Sequence, residues 1–184
     1  TADPRAGHVL VAIAAGAILA AAVGLLDDLW DLRPGPKALG QGACALFLVM
    51  AGIRPDLQGL VRPLGIVLPE PVHETLAYLV VLFFVLGATN SLNLLDGLDG
   101  LCAGVTAIIT VGFLFLAVHL ATWTTDRPLD PIRVVVSLAL VGSVLGFLVF
   151  NRHPAVIFLG DAGSILLGYL IAALMMLFAS WNAR

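Results

Sequence analysis

The chain has 184 residues, 60% of them hydrophobic and 11% charged, and a net charge of −3, with a mean hydropathy of +1.06. A soluble domain carries about 25% charged residues, so this composition excludes one. The small negative charge and the lack of any lysine- or arginine-rich run exclude a nucleic-acid partner.

The apolar residues fall into six long runs, at 8–26, 38–53, 72–89, 101–122, 132–150 and 164–181, charged only at Glu74 and Arg133 close to the ends of two of them. Each is close to the ~20 residues that a helix needs to cross the ~30 Å hydrocarbon core. The second is short and relies on Lys37 and Arg54 at the interfaces. Lipid leaves no backbone group unsatisfied, so the spans are read as helices. A barrel would alternate apolar and polar residues, and these runs do not. The expected fold is an all-α polytopic membrane protein with about six transmembrane helices, forming a single transmembrane domain over 1–184. Between the second and third runs, Pro55, Gly59, Pro63, Gly65, Pro69 and Pro71 predict a turn or small hairpin at the surface. No internal repeat or low-complexity tract is present. Cys44 and Cys102 lie in apolar runs without metal-like spacing and read as small buried hydrophobes. The chain begins at Thr1 without a signal sequence and ends at Arg184, just past an apolar run, so it reads as a piece truncated at both ends.

With six spans, the connections 27–37, 90–100 and 151–163 share one face, and 54–71 and 121–131 the other. The 12 acidic residues divide evenly. Asp27, Asp28, Asp31, Asp96, Asp99 and Asp161 are on the first face; Asp3, Asp56, Glu70, Glu74, Asp126 and Asp130 are elsewhere. What distinguishes the first set is context: its aspartates abut helix ends beside Gly and Asn, whereas the others sit among Pro and Arg. The basic residues, with only Arg33, Lys37 and Arg152 on the first face, would by themselves place that face outside.

Three segments on this face carry chemistry. In Asp27-Asp28-Leu29-Trp30-Asp31, Asp27 and Asp31 are one helical turn apart. Adjacent carboxylates repel and need a cation or a shared proton, and Lys37 can compensate them or hold a phosphate. Gln41 follows one turn later. In Asn90-Ser91-Leu92-Asn93-Leu94-Leu95-Asp96-Gly97-Leu98-Asp99-Gly100, amides and carboxylates recur at helical spacing. Such groups can bind a base, a sugar or a hydrated metal. The ligand pattern of a calcium-binding EF-hand is absent. In Phe150-Asn151-Arg152-His153-Pro154-Ala155-Val156-Ile157-Phe158-Leu159-Gly160-Asp161-Ala162-Gly163-Ser164, Pro154 and Gly160 interrupt the helix. Asp161 opens the next helix, whose N-terminus also favours anions. His153 can touch a phosphate or sit at the interface, and Phe158 can stack on a base or pack. Carboxylates gathered at a bilayer surface point to Mg²⁺, with Mn²⁺ as a substitute.

The strings DDLWD with KALGQ, NSLNLLDGLDGL and FNRHPAVIFLGDAGSILLG, in this order and covering nearly the whole chain, resemble the polyprenyl-phosphate N-acetylhexosamine-1-phosphate transferases, glycosyltransferase family 4. The resemblance implies transfer of a sugar-1-phosphate from a UDP-N-acetylhexosamine to a polyprenyl phosphate, with release of UMP. It also implies a magnesium requirement and a cytoplasmic active face on the plasma (inner) membrane; a homodimer is compatible with it. By the same analogy Asp161 matches the magnesium ligand, and Asp27 and Asp28 match the catalytic pair near the metal and the acceptor phosphate. Lys37, Asn93, Asp96, Asp99, Asn151 and His153 match substrate-binding positions, and Phe158 an aromatic beside the uracil. Members acting on UDP-N-acetylmuramoyl-pentapeptide usually have Lys where this chain has Asp31 and Thr where it has Leu95. The chain therefore looks more like the undecaprenyl-phosphate N-acetylglucosaminyl-1-phosphate transferases of cell-envelope polysaccharide synthesis, such as O-antigen or teichoic acid linkage units. Phospho-N-acetylmuramoyl-pentapeptide transferase is the alternative. Family members carry further spans on both sides and a histidine-rich loop near the C-terminus that this chain lacks, which implies little activity for the chain alone.

Two other classes remain. An intramembrane aspartyl protease places its aspartates within facing helices, whereas Asp27, Asp96 and Asp161 lie at span ends. A cation transporter places ionisable residues near mid-membrane, and the centres of these runs hold no Asp, Glu, Lys or Arg.

Overall fold

The computed structural model describes residues 4–123 and 129–180. Asp3, Asp126, Arg127, Arg184 and the expected end of the sixth run at Trp181 lie outside the described residues. Among the described residues seven α-helices follow one another: α1 Pro4–Trp30, α2 Pro34–Met50, α3 Leu57–Val61, α4 Glu70–Leu95, α5 Leu101–Trp123, α6 Asp130–Asn151 and α7 Gly160–Ala179. No strand occurs among the described residues. Cys44 and Cys102 are buried and free.

Proline and backbone sterics set the boundaries. Pro34 occupies the start of α2, where its missing N–H costs nothing, and it holds Arg33 extended (φ −61°, ψ 150°) so that α1 cannot run on into α2. The Pro71 and Pro131 rings sit equally early in α4 and α6. Gly52 takes positive φ just past the end of α2, and Gly100 does so immediately before α5. The proline-rich stretch after α2 forms α3 and a 3-10 turn over Arg62–Leu64 rather than a hairpin. Asp56 accepts a bond from the Gly59 N–H at 3.0 Å, and Gln58 accepts one from Leu68 N at 3.0 Å, so local polar bonds hold this segment in place of a strand ladder.

Among the described residues five helices, α1, α4, α5, α6 and α7, are long and apolar enough to cross a membrane. The run expected at 38–53 corresponds to α2, whose 17 residues reach only about 26 Å at 1.5 Å per residue. The polar residues expected in connections are largely helical: Asp27 and Asp28 belong to the last turn of α1, Asn90 and Asn93 to α4, Asn151 to α6 and Asp161 to the first turn of α7. A helix continues through polar residues once its apolar body is anchored, because each added residue gains a backbone bond.

The helix at the centre is α7. Of its apolar stretch 61% is buried, against 28–33% in the other four spans. It packs chiefly on α1 and α4, while α2 closes the layer against α1 and α4, and α5 pairs with α6. Ile165, Tyr169, Ala172, Ala173, Leu174 and Leu177 of α7 are fully covered.

The last carbonyls of α7 have no intrahelical donors, and other segments supply them. Arg133 of α6, 1% exposed, donates to the Leu177 carbonyl from Nε at 3.0 Å and from Nη2 at 2.6 Å. Its Nη1 donates to Asp130 Oδ1 at 2.6 Å. Its guanidinium lies 5.3 Å from the Phe178 ring centroid, and Phe178 stacks on Phe113 of α5. The Asp56 N–H reaches the Ala179 carbonyl at 3.2 Å. A cation here also suits the negative end of the helix dipole.

Removing one partner of a buried ion pair strands the other charge and costs about 3–5 kcal/mol. Arg133→Met is expected to lower the unfolding free energy in detergent by about that much, and adding Asp130→Leu to recover most of it. Equal denaturation of wild type and the single variant would contradict this.

Candidate active site

Successive residues on a helix point about 100° apart, so the adjacent carboxylates at the end of α1 face different neighbours. Asp28 turns to α7: its Oδ1 accepts from the Asp161 N–H at 2.8 Å and its Oδ2 from the Ala162 N–H at 3.0 Å. It thus satisfies two of the free donors at the start of α7 and places a negative charge at the positive end of its dipole. Two glycines permit this approach. A Cβ on Gly24 would lie 2.3 Å from the Asp161 carbonyl oxygen, and Gly160 has φ +66° with its Cβ position 3.1 Å from Asp28 Oδ2.

Asp27 turns to α2. Its Oδ1 accepts from the Leu32 N–H at 2.8 Å, and its Oδ2 pairs with Lys37 Nζ at 2.5 Å. Lys37, the single lysine of the chain, also reaches Asn93 Oδ1 at 3.0 Å and Asp161 Oδ2 at 3.5 Å. Asn93 donates through Nδ2 to Asp161 Oδ1 and to Ser164 Oγ, the latter at 3.0 Å. The Asp27 and Asp161 carboxyls share Lys37 as a partner. Four helices, α1, α2, α4 and α7, therefore deliver one cluster of Asp27, Lys37, Asn93, Asp161 and Ser164. The Asp27 side chain is 5% exposed and that of Asp161 34%, so Asp161 is the carboxylate open to an incoming group. Hard divalent cations take oxygen ligands of this kind, and Mg²⁺ needs only one or two carboxylates when substrate phosphates and water complete its shell. Among the described residues no group of three or more His, Cys, Asp and Glu side chains is placed to hold a metal ion by itself.

The other expected residues surround this cluster. Asp96 lies at the end of α4 beside the Gly160 N–H; burial, and then the charges of Asp161 and Asp28, push its carboxyl above the ordinary range. Asp99 accepts from the Ala155 N–H at 3.1 Å and pairs with His153 Nδ1 at 3.0 Å, and these bonds hold its carboxyl below the ordinary range. Asn151 is 4% exposed. It accepts from the Gly100 N–H at 3.1 Å and donates to the Ile157 carbonyl at 2.9 Å, tying the α4–α5 turn to the α6–α7 loop. Phe158 stands at the rim with its side chain outward, 74% exposed. Neither Phe158 nor His153 reaches the five-residue cluster. Ser164 is part of it although the sequence reading did not single it out; its place one turn after Asp161 is the signal that would have found it.

The family model described as Glycosyl transferase family 4 matches residues 10–179, and the chain belongs to that family. It is 37% identical over 169 residues to a Bacillus subtilis protein named probable undecaprenyl-phosphate N-acetylglucosaminyl 1-phosphate transferase, covering 91% of this chain and 44% of that protein. It is 37% identical over 161 residues to the decaprenyl-phosphate N-acetylglucosaminephosphotransferase of Mycobacterium leprae, covering 88% and 40%. It is 38% identical over 187 residues to the phospho-N-acetylmuramoyl-pentapeptide-transferase of Symbiobacterium thermophilum, covering 95% and 54%. The chain thus spans about half the length of the curated relatives it matches.

The depressed Asp99 carboxyl has a consequence for pH. The charged form holds the α6–α7 loop, so the anchorage is fully present above the ordinary carboxyl value of 3.8 and is lost as pH falls through the lower value in the folded protein. Hydrogen exchange is expected to show the Ala155 amide protected at neutral pH and unprotected in Asp99→Ala at the same pH. Equal protection in the two proteins would rule out the anchor.

Proposed function

We propose that this chain is the cluster-bearing part of an enzyme that transfers an N-acetylhexosamine-1-phosphate, GlcNAc-1-phosphate in the leading reading, from a UDP-sugar to undecaprenyl phosphate. The observation that carries the proposal is the Asp27–Lys37–Asn93–Asp161 cluster at the ends of membrane-length helices, where a soluble nucleotide and a lipid phosphate can meet. In this reading α2 is the sixth span, with Lys37 at its interface, and the cluster faces the cytoplasm at the plasma membrane. The names of the relatives support a polyprenyl-phosphate acceptor, and Asp31 and Leu95 favour GlcNAc over the muramoyl-pentapeptide donor. The muramoyl alternative has the Symbiobacterium relative in its favour.

In the reaction an oxygen of the acceptor phosphate attacks the sugar-linked β-phosphorus of the donor. A new P–O bond forms, the bond from that phosphorus to the bridging oxygen breaks, and UMP leaves with the bond's electrons. Magnesium or manganese, held by Asp161, would supply charge neutralisation on the diphosphate. Lys37 brings a further positive charge to the same place. Asp28 orients Asp161 through the backbone of the first turn of α7, and Asn93 holds the Asp161 carboxylate from the side. Asn93, Asp96, Asp99, Asn151 and Phe158 face the nucleotide-sugar side in this reading, and His153 a phosphate.

A phosphate monoester has a second pKa near ~6 and is largely ionised at neutral pH, so the attack needs no strong protein base. Both oxygens of Asp27 and both of Asp28 are already engaged. That supports direct attack by the lipid phosphate over a covalent aspartyl intermediate.

Asp161→Asn in the full-length enzyme is expected to reduce UMP release from UDP-GlcNAc and undecaprenyl phosphate to below about a hundredth of wild type. Retained magnesium-dependent release would remove Asp161 from its role. A donor screen with the wild-type enzyme, read by the same release, separates the GlcNAc reading from the muramoyl-pentapeptide one.

A further inference from the structure

One turn farther along the two helices from Lys37 and Asn93 lies a second polar contact between them. Gln41 of α2 is 1% exposed, and its Oε1 accepts from Asn90 Nδ2 of α4 at 3.1 Å. Gln41 follows Lys37 by four residues and Asn90 precedes Asn93 by three, so each lies on the same helix face as its neighbour. The helices run in opposite directions, and the two contacts stack like rungs: Lys37 with Asn93 at the helix ends, and one turn farther in Gln41 with Asn90, an exposed residue whose Nδ2 also donates to the Leu86 carbonyl at 2.8 Å.

Stability does not account for the inner rung. The Gln41 Nε2 is buried and has no hydrogen-bond partner. A buried donor without an acceptor costs more than a cross-helix amide bond in a membrane typically returns, so an apolar side chain of similar volume would serve packing better. The remaining α2–α4 contact is apolar, with Ala45 and Leu48 of α2 and Val81 and Val85 of α4 in the common core. Apolar contacts in lipid carry no directional information of their own. The amide pair supplies a fixed register at the position nearest the cluster.

We infer that Gln41, acting through Asn90, is a positioning residue that sets α2 against α4 so that the Lys37 ammonium lands among Asp27, Asn93 and Asp161. The effect on turnover rests on the reaction proposed above; the effect on the position of Lys37 does not.

Lys37 allows the two to be measured separately. Its side chain is 15% exposed and ion-paired, so its acylation by an N-hydroxysuccinimide ester, read by mass spectrometry at its own peptide in the full-length protein, reports its placement without any turnover. Gln41→Leu is expected to leave the melting temperature unchanged or raised and to speed Lys37 acylation at least about threefold. It is also expected to lower kcat by about tenfold while the KM for the UDP-sugar stays within about twofold. Gln41→Asn shortens the link and is expected to behave similarly. Adding Asn90→Gln, which returns the lost methylene from the other side, is expected to restore slow acylation and turnover together.

A fall in melting temperature with Lys37 acylation per folded molecule unchanged would reduce Gln41 to a packing residue and overturn the inference, as would failure of the length swap to restore protection. If acylation responds as expected but the wild-type enzyme releases no UMP, the positioning role stands and the proposed reaction fails. If the wild type releases UMP and acylation is indifferent to Gln41, the reverse holds.

Discussion

A helix inside a bilayer leaves unsatisfied N–H groups at one end and C=O groups at the other, and lipid offers them no partners. For the central helix α7 these partners come from distant segments. Asp28 of α1 takes the N–H groups at its start, and Arg133 of α6 supplies the Leu177 carbonyl near its end. The first of these bonds has functional consequences. It fixes the end of α1 on the start of α7, and because Asp27 and Asp28 point in different directions, it also turns Asp27 toward Lys37 and Asp161. The site follows from satisfying a helix end.

The same arrangement concentrates charge. Asp27, Asp28, Asp96 and Asp161 lie around one helix terminus, and among the described residues Lys37 is the one cation that bonds within the cluster. Backbone N–H groups and the dipole of α7 offset Asp28, and Lys37 offsets Asp27. Burial first, and then the charges of Asp161 and Asp28, raise the carboxyl of Asp96. Asp161 is left as a partly exposed carboxylate, 34% open, whose neighbourhood still favours a positive ion. In the proposed reaction an anionic diphosphate arriving with its cation would relieve this imbalance.

The apolar runs and the three polar strings were legible in the sequence because each is a local signal: length and hydropathy for spans, interleaved amides and carboxylates beside glycine for the site. The runs located the five long spans closely. Their ends were less legible. Asp27, Asp28, Asn90 and Asn93 lie within helices because a helix anchored by its apolar body carries polar residues through its last turn. The marginal length of α2 and the helical form of the proline-rich stretch were hidden for a related reason, since composition marks a break without specifying its geometry. Contacts between distant positions left no trace. Nothing about Asp28 announces that it caps a helix that begins 132 residues later, nothing about Arg133 points to Leu177, and Gln41 and Asn90 are single amides without periodic signal.

The claim on which most depends is that Asp28 serves as the cap that presents Asp161. Residue-resolved hydrogen exchange of the full-length protein in detergent tests it most directly. In Asp28→Ala, the amides of Asp161 and Ala162 are expected to exchange about tenfold faster, in keeping with the loss of a helix cap, while the interior of α7 from Leu167 to Met176 stays protected. Unchanged exchange at both amides would contradict the claim, because the start of α7 would then hold without the carboxylate of α1.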